Sequence, residues 1–269
     1  MTICIGAICE QSSSLILATD SMLTNEGLSI QFEHPTKKMT SLSDSCIALT
    51  AGDALAHTEL FNMVQDEITK LKAPSVLEIV DKIKECYQRI REKEIKEKIL
   101  IPKGFNDFKD FYEAQRVLIP DVALTIQSQI ERYDYGLEIL VAGISGEVTH
   151  IYGISDPGTS KCLDAIGFHA IGSGLPHAVN TLIARGCYQG TALKEALLIV
   201  YEAKKMAEKA PGVGANITDM CIMDPQGITE FPHDKFGELH KIYEKWARRE
   251  PNWASDLDIF LKEIGGSKK

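Results

Sequence analysis

The chain has 269 residues, of which 44% are hydrophobic and 25% are charged, and its formal net charge is −9. This length suits one large domain or two small ones, and the apolar fraction is that of an ordinary globular protein. An acidic balance without any basic block argues against a nucleic-acid-binding protein, and no apolar run approaches the ~20 residues of a membrane helix.

The first half of the chain predicts two hairpins followed by helices. Residues 2–9 and 15–19 are short apolar segments separated by the polar EQSSS, which is typical of a hairpin. ATDSMLT ends the second strand, the segment from there to KKMTSLSD is polar, and KKMTSLSD and SCIALTAG predict a second hairpin with its turn at SDS. Apolar residues at helical spacing predict a helix over 53–72, and Ser75 is a candidate N-cap for a second helix that REKEIKEK extends.

The second half alternates between helical and strand patterns. IPKGFNDF interrupts the helix, and DFYEAQRVLIPDVALTIQSQIERY predicts another helix, bent or broken near Pro120. LEILVAG, EVTHIYGI and FHAIGSG predict strands, and PHAVNTLIARG and ALKEALLIVYEAKKMAEKA predict helices. The glycine-rich PGVGAN leads to the strand ITDMCIMD, a turn at PQG and a further strand, ITEF. An amphipathic tail runs from Asp234 to about Glu263.

This order of elements predicts an α+β fold, with two antiparallel sheets and helices packed outside them. We find no internal repeat and no low-complexity linker. We therefore expect one domain over residues 1–233, with a helical insertion at about 92–130, and a C-terminal helical extension over residues 234–269.

The seven cysteines predict the cellular compartment. Their number is odd, no CxxC pair exists, and several lie in apolar runs such as TDMCIM, so we interpret them as buried small hydrophobic residues in a reducing compartment. The first apolar stretch, ICIGAIC, is too short for a secretory signal and follows no basic segment. The sequence predicts a cytoplasmic protein.

Five short stretches contain the residue types of a nucleophilic site. Removal of Met1 would leave Thr2 with both a free amine and a hydroxyl. The other candidates lie at the ends of predicted strands or at strand-to-helix turns. The candidates are Thr2 in MTICIG, Asp20 and Thr24 in ATDSMLT, Lys38 in PTKKMTSL, Gly52 in ALTAGDA and Ser173 in AIGSGLPHA.

In order and spacing, these stretches resemble the proteasome-type branch of the N-terminal nucleophile hydrolases, nearest to proteasome β subunits and the bacterial peptidase HslV. The resemblance covers roughly residues 2–72 and 137–231. It implies a four-layer αββα sandwich of two antiparallel sheets flanked by helices. It also implies a threonine peptidase that acts on peptides or unfolded proteins without a metal or cofactor, in a homo-oligomeric ring, with an ATPase as a partner.

The chemistry of the site can be stated from the residue types. A threonine hydroxyl is a poor nucleophile until a base takes its proton, and the free α-amine of Thr2, with an ordinary pKa of roughly 7.7–8.0, is such a base. A positive Lys38 nearby would lower the pKa of the amine and of the hydroxyl, and Asp20 would hold that lysine charged. The backbone N–H of Gly52 would stabilise the oxyanion, and Ser173 would orient the amine.

The resemblance assigns three further residues and shows one departure. It implies that Thr24 binds the substrate backbone and that Thr50 and Ala54 shape the first specificity pocket. Proteasome β subunits carry an aspartate and a serine where this chain has Pro211 and Gly214, so those two partners of the nucleophile are absent here.

Three alternatives stay open on the sequence alone. The first is a non-catalytic ring subunit or binding module on the same fold, which the absent partners and a retained Met1 would favour. The second is an amidase for a small amide. The third is a cysteine nucleophile at Cys4 or Cys46, although nothing in the sequence pairs either thiol with a base. The seven histidines show no metal-ligand spacing and no phosphate-binding glycine loop is present, so we expect neither a metal nor a cofactor.

Overall fold

The computed structural model describes the backbone of residues 2–25, 30–34 and 37–266, and the side chains of these residues except 24, 25, 30, 31, 54, 55 and 266. The strands are β1 (Cys4–Cys9), β2 (Ser14–Asp20), β3 (Met22–Asn25), β4 (Ile30–Glu33), β5 (Met39–Ser43), β6 (Cys46–Gly52), β7 (Leu137–Ser145), β8 (Val148–Ser155), β9 (Thr159–Cys162), β10 (Phe168–Ile171), β11 (Thr218–Asp224) and β12 (Gly227–Glu230). The α-helices are α1 (Ala54–Ile68), α2 (Val76–Ile95), α3 (Phe108–Ala114), α4 (Pro120–Glu131), α5 (Leu175–Ala184), α6 (Leu193–Ala207), α7 (Phe236–Ala247) and α8 (Trp253–Gly266).

The strands confirm the α+β class, but the prediction of a four-layer αββα sandwich with two sheets is wrong. The strands of the described residues form three sheets, with the orders β10-β1-β2-β11-β12, β3-β4 and β5-β6-β7-β8-β9, and neighbouring strands pair antiparallel throughout. The additional two-stranded sheet is built from MLTN and IQFE, in a polar segment for which no hairpin was predicted. Four residues per strand are too few for a clear alternation of apolar and polar side chains.

Both predicted hairpins are confirmed. Cys4 pairs with Thr19 in the first, and Met39 pairs with Leu49 in the second. Every residue of β1 and β2 is buried, which fits the continuous apolar runs of a strand that is covered on both faces. The side chains of β1 alternate between a core shared with α5 and α6 and a core shared with β6 and β7.

The helical predictions hold in their main features. Ser75 caps α2 by accepting the Glu78 N–H at 3.3 Å, while the Glu78 carboxylate accepts the Ser75 N–H at 2.8 Å, which forms a capping box. The charged run extends α2 to Ile95, and a π-helix follows over Lys96–Leu100. The predicted break near Pro120 is also present, because α3 ends at residue 114 and Pro120 opens α4.

The region around 95–133 forms a small core of its own, built from Ile95, Ile99, Leu100, Phe111, Ile126 and Ile130. Large apolar side chains of the same region face solvent. Val117 is 86% exposed, Ile119 69% and Leu124 67%. The C-terminal helices α7 and α8 belong instead to the main core, to which they contribute Leu239, Ile242, Leu257, Phe260 and Ile264. Among the described residues, no helix combines the length and the apolar character needed to cross a membrane.

Candidate active site

The first hairpin brings Thr2 and Asp20 together. Thr2 immediately precedes Ile3 and β1, Asp20 ends β2, and the Asp20 N–H donates to the carbonyl oxygen of Ile3 at 3.3 Å. The Thr2 hydroxyl donates to Asp20 Oδ1. Thr2 and Asp20 are 18 residues apart in the sequence, and the antiparallel pairing of β1 with β2 brings their side chains into contact.

The Asp20 carboxylate is fully buried and accepts hydrogen bonds on both oxygens. Oδ1 accepts from the Thr2 hydroxyl and from two further donors, whereas Oδ2 accepts from backbone amides alone. The donors other than Thr2 are the Ile3 N–H at 3.0 Å, Lys38 Nζ at 2.8 Å, the Met22 N–H at 3.2 Å and the Gly214 N–H at 2.7 Å. A carboxylate offers about four lone-pair positions, so five donors saturate it.

Lys38 contacts both Asp20 and Thr2. Its ammonium donates to the Thr2 hydroxyl oxygen as well as to Asp20, and its side chain is only 7% exposed. A buried ammonium is tolerated when it is paired and hydrogen-bonded. The backbone position of Lys38 is set by the second hairpin, because its carbonyl accepts the Thr50 N–H at 3.2 Å.

The turn between β10 and α5 holds the backbone of Thr2. The Thr2 nitrogen donates to Ser173 Oγ at 3.2 Å, and the Gly174 N–H donates to the Thr2 carbonyl oxygen at 3.1 Å. Gly172 has a φ of +91°, and a Cβ there would lie 2.5 Å from the Thr2 carbonyl oxygen. Only glycine allows the turn to approach Thr2 this closely. Ser173 itself is exposed.

The other predicted residues differ in how the structure describes them. Gly52 ends β6 with a φ of +123°, and a Cβ there would lie 2.0 Å from the Gly136 carbonyl oxygen, so the position requires glycine. Thr50, two residues earlier in β6, is buried and donates its N–H to the Lys38 carbonyl oxygen. Thr24 belongs to β3 and Ala54 is the first residue of α1, but both side chains lie outside the described part of the structure.

Sequence reasoning missed Gly214 and Lys204. From the sequence, Gly214 was considered only as a position without the side chain found in proteasome β subunits. Its backbone N–H is nevertheless one of the Asp20 donors. Lys204 has no exposed surface and donates to the Gly214 carbonyl oxygen at 3.1 Å. No local signal could reveal these contacts, because 194 residues separate Gly214 from Asp20.

The two cysteine candidates do not fit a nucleophilic role. Cys4 and Cys46 are both fully buried. Burial raises the pKa of each thiol to about 12, and for Cys4 this outweighs the opposing effect of the Lys38 charge. Since the thiolate is the reactive form, the structure argues against a cysteine nucleophile near neutral pH.

Over the described residues, no three histidine, cysteine, aspartate or glutamate side chains are grouped so that they could hold a metal ion. Comparison with models of known protein families gives no match, and neither does comparison with curated proteins. The geometry around Thr2 is therefore the basis for a functional interpretation.

Proposed function

We propose that the chain is a threonine peptidase whose nucleophile is the Thr2 hydroxyl, made competent when Met1 is removed. The observation that carries this proposal is the position of the Thr2 hydroxyl between the Lys38 ammonium and the Asp20 carboxylate. The Thr2 nitrogen, which becomes the free amine, faces Ser173 Oγ.

In the proposed reaction, the hydroxyl oxygen attacks the scissile carbonyl carbon while its proton passes to the Thr2 amine. Collapse of the tetrahedral intermediate breaks the C–N bond, and the departing amine takes the proton back. A water molecule then attacks the ester carbonyl, the bond between the acyl carbon and the Thr2 oxygen breaks, and the acyl group leaves as a carboxylic acid while the Thr2 hydroxyl is restored. We assign the base role to the amine because it belongs to the same residue as the hydroxyl, as in the N-terminal threonine form of the nucleophile–base pair, whereas Asp20 is paired with the Lys38 ammonium.

The adjacent residue Lys37 shows what an ordinary surface lysine does just before β5. Its side chain is 51% exposed and pairs with Glu230, which is itself 65% exposed. Lys38, by contrast, is buried and directed at a hydroxyl. Burying an ammonium costs free energy, so the buried position of Lys38 calls for a reason. The proposed reason is that a positive charge beside Thr2 would favour loss of the hydroxyl proton.

The resemblance to the proteasome-type hydrolases extends this proposal. On that basis the substrate is a peptide or an unfolded protein, the active form is a homo-oligomeric ring or other self-assembly, an ATPase delivers substrate, and the site of action is the cytoplasm. The Gly52 N–H would donate to the oxyanion, while Thr24, Thr50 and Ala54 would contact substrate.

Substitution of Thr2 and Lys38 tests the proposal. With a fluorogenic peptide as substrate, we expect Thr2→Ala to abolish turnover, Thr2→Ser to retain part of it, and Lys38→Met to lower kcat/KM by a factor of about 10² or more. Lys37→Met is the matched control and should behave like the wild type. Wild-type turnover by Thr2→Ala would rule the mechanism out.

A second candidate is a non-catalytic structural subunit. It is favoured by the small accessible surface of Thr2, which is 2% exposed, since a nucleophile must be reached by its substrate. Intact-mass measurement on protein from its native host separates the two candidates. Loss of the Met1 mass, together with covalent labelling of Thr2 by an epoxyketone probe, supports the peptidase, whereas full retention of Met1 supports the structural role.

A further inference from the structure

A buried cation lies behind the Thr2 cluster, in the last turn of α6. Lys204 has no exposed surface and donates to Glu208 Oε1 at 2.6 Å and to the Gly214 carbonyl oxygen at 3.1 Å. Burial lowers the pKa of Lys204, while the hydrogen bond that it donates to Glu208 acts in the opposite direction. A charge in this position is costly to bury, and removing one partner of such a pair is strongly destabilising.

The neighbouring residue Lys205 makes only the contact that a helix terminus would explain. It pairs with Glu208 Oε2 at 2.6 Å and is 31% exposed, and a cation in the last turn of a helix is favourable in any case. Lys204 differs because its ammonium also reaches the loop that follows α6. Stabilisation of the helix end does not account for that second contact.

The loop over residues 211–216 is fixed on the side of the Thr2 cluster as well. The Gly214 N–H donates to Asp20 Oδ2 at 2.7 Å, and the Asn216 N–H donates to Glu33 Oε1 at 2.9 Å. A Cβ on Gly214 would lie 2.7 Å from Glu33 Oε1 and 3.3 Å from Asp20 Oδ2. The absence of a side chain therefore lets the backbone of Gly214 reach Asp20.

Gly214 is thus held at both of its backbone polar groups, with its carbonyl on Lys204 and its N–H on Asp20. We infer that Lys204 is a positioning residue, which holds Gly214 against Asp20 and so fixes the carboxylate that orients Lys38 and Thr2. Its hydrogen bonds go to Glu208 and Gly214, so it would act through Gly214 and Asp20. This role rests on the proposed peptidase function, although the coupling between Lys204 and Gly214 does not.

The test compares Lys204→Met with Lys205→Met, which keeps the contact between Lys204 and the loop. Two quantities are measured on the full-length protein, namely the hydrogen-exchange rate of the Gly214 amide and the separate kcat and KM for a fluorogenic peptide. In Lys204→Met we expect Gly214 exchange to become at least about tenfold faster, as loss of a hydrogen bond to a charged group implies. We expect kcat to fall by about 10- to 100-fold with KM little changed, because a misplaced catalytic group lowers the rate of the chemical step. Lys205→Met should leave both unchanged.

A second variant keeps the test decisive if Lys204→Met does not fold. Gly214→Ala leaves Lys204 in place but pushes a methyl group toward Asp20 and Glu33, and it should lower kcat in the same way. Unchanged Gly214 exchange in Lys204→Met, or faster exchange with an unchanged kcat, would overturn the inference. A wild type that is inactive but whose Gly214 amide still depends on Lys204 would overturn the peptidase proposal and leave the coupling intact.

Discussion

At the scale of single residues, burial decides which thiols of this chain can react. Six of the seven cysteines are buried, and Cys162 is exposed. Burial raises the pKa of Cys4, Cys46 and Cys221 to about 12, so roughly one such thiol in 10⁴ is ionised at pH 8. We expect iodoacetamide at pH 8 to modify one cysteine per native chain and seven in denaturant, as counted by mass spectrometry. Cys162→Ser should remove the single native modification, and rapid alkylation of a buried cysteine would contradict this account.

The same scale shows how far the site could be predicted. Thr2, Asp20 and Lys38 lie in the first 38 residues, and the resemblance of their order and spacing to the proteasome-type hydrolases implied that they belong together. Lys37 and Lys38 both precede β5, and a sequence does not say which of the two faces inward. Gly214 contributes a backbone amide, and no residue type at that position predicts where its N–H points.

At the scale of elements, the turn between β10 and α5 acts as a clamp on Thr2. We expect Gly172→Ala to lower the melting temperature and to abolish any turnover, because its Cβ would meet the Thr2 carbonyl oxygen at 2.5 Å and Thr2 Cγ2 at 2.7 Å. Gly146→Ala is the control, since Gly146 also has a positive φ, +66°, but has nothing within 4 Å of an added Cβ. It should cost only the backbone strain of about 1–2 kcal/mol. Equal losses in thermal unfolding would show that contact with Thr2 adds nothing.

The predictability of the elements depended on the length of each pattern. Strands β1 and β2 could be predicted because their apolar runs are long. The start of α2 could be predicted because the capping signal at Ser75 is specific. Four-residue strands carry too few residues to establish a period. β10 and β12 were predicted because they adjoin glycine-containing turns, whereas β3 and β4 lie in a polar segment and their sheet was missed.

At the scale of the whole molecule, the C-terminal helices are part of the main core. Phe260 is fully buried and stacks on Phe231 with ring centroids 5.7 Å apart. We expect Phe260→Ala to lower the free energy of unfolding by about 3–5 kcal/mol in urea titrations, as core phenylalanine truncations do. The adjacent Ile259 is 56% exposed, and Ile259→Ala should change stability by less than about 1 kcal/mol. If Phe260→Ala cost no more than that control, the helices would be an independent appendage.

The exposed aliphatic side chains of Val117, Ile119 and Leu124 affect the solubility of the protein. Exposed apolar surface of this kind promotes aggregation as the protein is concentrated. These residues are distant from the Thr2 cluster in the sequence, and their region packs around a separate small core. We therefore expect Val117→Lys to reduce aggregation of concentrated samples without changing the residues of the Thr2 cluster.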